Sequence, residues 1–128
     1  MHVVDTSWLV ALVDADDAHH DAAVAQASSP QPLIIPGPVL AELLQVVHHA
    51  TRRVSGTAAA RAATRTILRH VTALPTATVR TEYRHDDAAE LFLRHHDLSY
   101  VDAIGVAVAR EIRAPLASFD KRQLALMA

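Results

Sequence analysis

Short apolar runs that give way, one after another, to helical patterns constrain this chain more than any other feature. His2-Val3-Val4 leads into Asp5-Thr6-Ser7, and Leu33-Ile34-Ile35 leads into Pro36-Gly37-Pro38. The second run is apolar throughout, as expected of a strand buried on both faces. Ala77 to Thr81, bounded by Pro75, predicts a third strand, and Leu116 to Phe119 a fourth. Helical patterns fill the intervals. They run from Trp8 to Val13, from about Ala18 to Ala27, and then over a segment carrying Leu40, Leu43, Leu44 and Val47, with Pro38 in its first turn. A long Ala/Arg helix is expected from about Ser55 to Ala73, and an amphipathic one from Asp86 to His96 with Leu91 and Phe92 inward. The next begins at Ser99 with Val101, Ile104, Val108 and Ile112 on one stripe, and the last spans Asp120 to Met127. Strands alternating with helices predict an α/β fold with a parallel sheet covered on both faces. The 128 residues fit one domain over the whole length.

Composition narrows the function classes. Hydrophobic residues make up 51% of the chain, enough for a packed core, so disorder is not expected. The net charge of −2 gives no global basic field, so any contact with nucleic acid must come from local patches. Without cysteine there is no disulfide framework and no thiolate metal site. No apolar run reaches the length of a membrane span, and the first residues lack the basic and apolar regions of a signal peptide. A cytoplasmic protein away from membranes is the expectation.

The chemistry centres on four acids. Asp5 ends the first strand, Glu42 lies near the start of the helix after the second, Asp102 lies in the first turn after Ser99, and Asp120 follows the last strand. In an open parallel sheet, sites form outside the carboxyl ends of the strands, where strand order reverses. A parallel sheet would therefore bring all four to one edge. So many carboxylates together repel one another and raise some pKa values, a conflict that a divalent cation resolves. Oxygen-only donors point to Mg²⁺ or Mn²⁺. Such an ion can activate water against phosphorus and stabilise charge on the leaving oxygen.

Each acid also has a purely structural reading. Ser99-Tyr100-Val101-Asp102 is a capping box, Asp120-Lys121-Arg122-Gln123 nearly another, and Asp5 can cap the helix that starts near Ser7. Two other functions remain open at this stage. One is a phosphohydrolase using Asp5 as nucleophile, although Ser7 stands two places on, where a second acid is usual, and Lys121 is the only lysine. The other is a binding module whose acids take a cationic partner and do no chemistry.

Val3-Val4-Asp5-Thr6-Ser7, Ala41-Glu42-Leu43, Ser99-Tyr100-Val101-Asp102-Ala103 and Ser118-Phe119-Asp120 resemble, in order and spacing, the motifs of PIN domains. More closely, the chain resembles the VapC toxins of bacterial VapBC toxin–antitoxin pairs, over nearly all its length. The resemblance implies a three-layer α/β/α domain with a short parallel sheet of four or five strands. It also implies an Mg²⁺- or Mn²⁺-dependent endoribonuclease with metal-binding acids at Asp5, Glu42, Asp102 and Asp120. Asp5 and Asp102 would be the direct ligands, with Ser7 and Ser118 orienting carboxylates or water. A homodimer and a VapB-like antitoxin partner are implied as well. Ser118 stands where threonine is commoner, and the strand that often follows the last helix is short or absent.

Arg61, Arg65 and Arg69 recur every fourth residue, and Arg52 and Arg53 precede them. They read equally as a phosphate-tracking stripe for RNA and as a solvated helix face. The histidine pairs at 19–20, 48–49 and 95–96 are poor chelates, because adjacent helical residues point apart.

Overall fold

The computed structural model describes residues 1–128. Strand β1 (His2–Val4) is followed by α1 (Thr6–Val13) and α2 (His20–Ala27), and β2 (Leu33–Pro36) by α3 (Gly37–Thr72). Strand β3 (Ala77–Arg80) precedes α4 (His85–Arg94) and α5 (Tyr100–Glu111), and β4 (Leu116–Ala117) precedes α6 (Lys121–Ala125). The four strands form one parallel sheet in the order β3-β2-β1-β4. The chain steps outward from β1 to β3 and then crosses back to place β4 on the other side of β1. Strand order therefore reverses between β1 and β4, where open α/β sheets form their crevices.

Alternation along the strands sends side chains to opposite faces and builds two cores. Val3 and Leu116 join Ala88, Leu91, Ile104 and Val108 under α4 and α5. Val4, Leu33, Ile35 and Ala117 join Trp8, Leu9, Val39, Leu43 and Val71 under α1, α2 and α3. The result is the three-layer α/β/α arrangement with a four-stranded sheet. Helix α5 is buried without interruption from Ala103 to Ala109, as suits a helix packed on nearly every side.

Three elements depart from the expectation. The two helices predicted before and after residue 55 form one element, α3, broken at Gly56, where φ is 86° and ψ 178°. An L-residue rarely adopts that φ. Beyond the break Ala63 and Ile67 return to line a shallow apolar depression with Val10, Val13, Val47 and Ala50. Phe92 does not point inward: Ala88 and Leu91 take the buried face of α4, and Phe92 lies exposed, edge-on to Tyr100. Strand β4 has two residues rather than four, because Ser118 and Phe119 turn away to build the site described below.

The approach to β4 is fixed locally. Arg113 adopts φ 54° just beyond α5. Ala114 N–H donates to the Ala109 carbonyl (2.9 Å) and Arg113 N–H to that of Arg110 (3.2 Å), forming a Schellman turn. Pro115 follows, and its carbonyl accepts from Val3 N–H (3.0 Å), setting β4 in register with β1.

Candidate functional site: an acidic depression at the reversal of strand order

The β1–β4 ladder ends with Asp5 N–H donating to the Ala117 carbonyl (3.2 Å). The last bond of the sheet thus sets Asp5 beside Ser118. Asp5 is the N-cap of α1, and its Oδ1 accepts from Trp8 N–H at 2.9 Å. Ser7 Oγ donates to the same carboxylate at 2.8 Å, and Ser118 Oγ approaches Oδ2 at 2.7 Å. Three donors occupy three of a carboxylate's roughly four acceptor sites, so the group is held in one orientation with one site to spare. Burial pushes the Asp5 pKa up, the three hydrogen bonds pull it partly back, and the nearby Asp102 charge raises it again.

Asp102 and Ser99 complete the expected capping box. Asp102 N–H donates to Ser99 Oγ and Ser99 N–H to Asp102 Oδ2, both at 3.1 Å. Asp102 Oδ1 faces Gln123 Nε2 at 3.3 Å. Asp120 caps α6 and is bound by Arg122 in two places, Nε to Oδ1 (3.1 Å) and Nη2 to Oδ2 (2.8 Å). The guanidinium holds the Asp120 carboxyl below the usual carboxylate range. Glu42 projects from the first turns of α3. These four acids line one depression of about 430 Å³, together with Thr6, Ser7, Ser99, His19, Phe119 and Arg122.

Gln123 escaped the sequence reading. The pattern Asp120-x-x-Gln123 suggests a glutamine turned back onto its helix cap. Instead its side chain is wholly buried between α5 and β4. Nε2 reaches the Asp102 carbonyl and carboxylate, both at 3.3 Å, and Oε1 lies 2.9 Å from Ser118 Oγ. Two acceptors at Asp102 fix the amide orientation. Ser118 then has one proton and two acceptors, Asp5 Oδ2 and Gln123 Oε1, while its own oxygen accepts from Asp120 N–H (2.9 Å). The hydroxyl donates to the nearer acceptor, Asp5 Oδ2, and Gln123 Oε1 stands at hydrogen-bond distance from the same oxygen. One chain of contacts therefore joins Asp5, Ser118, Gln123 and Asp102.

Arg61, Arg65 and Arg69 are exposed on the second half of α3 and do not line this depression. Of the α3 arginines, Arg52 and Arg53 share a surface trough with a site acid, along the helix face that begins at Glu42.

No three carboxylates or imidazoles stand close enough, as they lie, to cage an ion. The donor set still suits a hard divalent cation. The acids offer only oxygen, Asp5 is a buried carboxylate with its charge disfavoured, and the buried Thr6 hydroxyl in the lining has no protein partner. Mg²⁺ is commonly held by one or two carboxylates and keeps several waters, so a closed cage is not required.

An α/β/α fold with carboxylates gathered at its strand-order reversal defines a class of acidic-cleft domains. The profile of the family described as the PIN domain matches residues 2–127, and the chain belongs to that family. Solved structures with this fold include VapC20 of Mycobacterium tuberculosis, described as a sarcin-ricin loop cleaving toxin. It is 29% identical, with a TM-score of 0.73 over 98% of this chain and 94% of that one. PAE2754 of Pyrobaculum aerophilum is 21% identical, with a TM-score of 0.67 over 98% of this chain and 83% of that one, a likeness that speaks to the fold alone. No curated protein matches the sequence. No helix is long and apolar enough to cross a membrane.

Proposed function

We propose that this chain is a metal-dependent endoribonuclease, the toxin of a VapBC-type pair, that hydrolyses RNA phosphodiester bonds. The observation that carries the reading is the meeting of Asp5, Glu42, Asp102 and Asp120 in one depression at the strand-order reversal. The PIN family and the toxin relative support it. Asp5, Glu42, Asp102 and Asp120 would hold Mg²⁺ or Mn²⁺, with Asp5 and Asp102 its direct ligands. The bound ion would supply an activated water and offset charge developing on the phosphate.

The protein's own groups prepare that site. Ser7, Ser118 and the α1 backbone fix the Asp5 carboxylate, so little reorganisation accompanies binding. Gln123 fixes Asp102 relative to Ser118. Arg122 holds Asp120 and brings a cation to the rim of the depression, where a phosphate would approach. Arg61, Arg65 and Arg69 offer a further row of charge to the RNA backbone. A nucleophilic role for Asp5 is disfavoured, because Ser7, Ser118 and the Trp8 N–H already engage its carboxylate oxygens. A VapB-like antitoxin would inhibit by presenting a cationic side chain to the same acids, as Arg122 already does to Asp120. A homodimer and a cytoplasmic location accompany this assignment.

Purified protein with Mg²⁺ or Mn²⁺ should cut RNA and leave 5′-phosphate and 3′-hydroxyl ends. EDTA and Asp5→Asn should each abolish the cut. Cleavage that survives Asp5→Asn would come from a contaminant and sink the assignment.

A further inference from the structure

At the lip of the acidic depression, the His19 imidazole lies flat on the Phe119 ring, with centroids 4.2 Å apart and planes 5° from parallel. Neither residue has a part in the acid chemistry, yet both line the depression. His19 is exposed although one face of its ring is covered, so its exposure is on the other face and the edges. The stack is tied to the site from both sides. Phe119 sits between Ser118 and Asp120, and its N–H donates to Ser7 Oγ (3.0 Å), the hydroxyl that holds Asp5. His19 opens α2: its N–H donates to Asp17 Oδ1 (2.8 Å), and its carbonyl accepts from Ala23 N–H (3.0 Å).

We infer that the His19–Phe119 stack is a base platform. An unpaired nucleobase of the RNA stacks on the outward face of His19, which sets the adjoining phosphodiester over the acids. This rests on the ribonuclease reading above and adds to it the form of the substrate: a nucleotide splayed from its helix or lying in a single strand. Proteins read unpaired RNA by stacking bases on aromatic rings, histidine included. The local charge favours such an anchor. Around the depression stand Asp5, Asp17, Glu42, Asp102 and Asp120 against one guanidinium, Arg122, and the His19 ring itself, so phosphate attraction alone is a poor means of docking RNA there. Stacking adds affinity that does not depend on charge, and the rigid tie from Phe119 to Ser7 turns that affinity into register.

The test uses the intact protein and a single-stranded RNA oligonucleotide containing a mapped cleavage position, with 2-aminopurine or an abasic nucleotide placed beside it. Stacked 2-aminopurine loses fluorescence, so wild-type protein should quench it and His19→Ala should not. In cleavage, His19→Ala should raise KM by about tenfold or more, the order of one base–aromatic stack, with kcat within about threefold. His19→Phe should restore KM. An abasic nucleotide should cost the wild type as much as His19→Ala does and cost that variant nothing further. Equal abasic penalties in the two proteins, or quenching that survives His19→Ala, would overturn the platform while leaving the nuclease intact. A fall in kcat with loss of one limb of the pH–rate profile, shared by His19→Ala and His19→Phe, would overturn it in favour of proton transfer by the imidazole. Absence of cleavage with every RNA and either metal would remove the ribonuclease reading and the platform with it.

Discussion

Asp5 and Asp120 line one depression, and both cap a helix beside the Ser118 hydroxyl, yet their charges are managed in opposite ways. Asp5 is buried, has only neutral donors around it, and its carboxyl is pushed up by desolvation. Asp120 is at the rim, clasped by Arg122, and its carboxyl is held down. One acid lacks a cation and the other carries its own. The difference suggests a division of labour in which Asp5 is ready for an external cation and Asp120 keeps the rim neutral until a substrate or partner competes for Arg122.

The largest expected effect comes from Asp5→Asn, which should lower cleavage by more than about 100-fold, beyond the loss usual for an outer partner of a metal site. Without metal, the same change should be harmless to the fold. The folded parent holds the Asp5 proton more tightly than the unfolded chain, so its stability falls as pH rises from the ordinary carboxylate range through the raised value. Asn keeps the helix cap and removes that loss. Urea midpoints measured from pH 4 to 7 should therefore converge at the acid end, with Asn no less stable near neutrality. A clearly lower midpoint for Asn would mean that the hydrogen bonds to the ionised carboxylate outweigh its desolvation.

Gln123→Leu comes next, because it cuts the link between the two principal acids while filling a similar volume. We expect a loss of about 1–3 kcal/mol from stranded polar partners, and Mn²⁺ binding weaker by about tenfold. Unchanged Mn²⁺ affinity on calorimetric titration would reduce Gln123 to a packing residue. Arg122→Ala should act more gently and with the opposite pH sense from Asp5. Stability owed to the Asp120 pair is present above the ordinary carboxylate value and lost as pH falls through the lowered one. The variant's midpoint should lie slightly below the parent's at neutral pH and converge with it at acid pH, and its Asp120 resonance should titrate at higher pH. Smallest for turnover is replacement of Arg61, Arg65 and Arg69 by glutamine. If the row meets phosphates, the slope of log affinity against log salt should shrink by up to about 3, with kcat unchanged.

The sheet and the gathering of acids were legible because each acid lies at a strand end or in the first turns of a helix, and a parallel sheet places all such positions on one edge. The capping box at Ser99 and Asp102 was legible for a similar reason, being local in sequence. Gln123 was not. Its partners Asp102 and Ser118 lie on α5 and after β4, and nothing in Asp120-Lys121-Arg122-Gln123 distinguishes a glutamine turned back on its cap from one turned into the core. The inward placement of Phe92 failed because adjacent helical residues point to different faces, whereas Ala88, three residues before Leu91, shares its face. The His19–Phe119 stack joins residues 100 positions apart in the numbering, a meeting that only the fold brings about.

Trp8 gives the molecule a built-in optical probe. It is the chain's only tryptophan, fully buried, with its indole N–H on Gln26 Oε1 and its backbone N–H on the Asp5 carboxylate. Its emission therefore originates in the residue whose backbone N–H binds the acid expected to receive the cation. Metal titrations and unfolding can be followed in the unlabelled protein, with no second fluorophore of the same kind to confuse the signal.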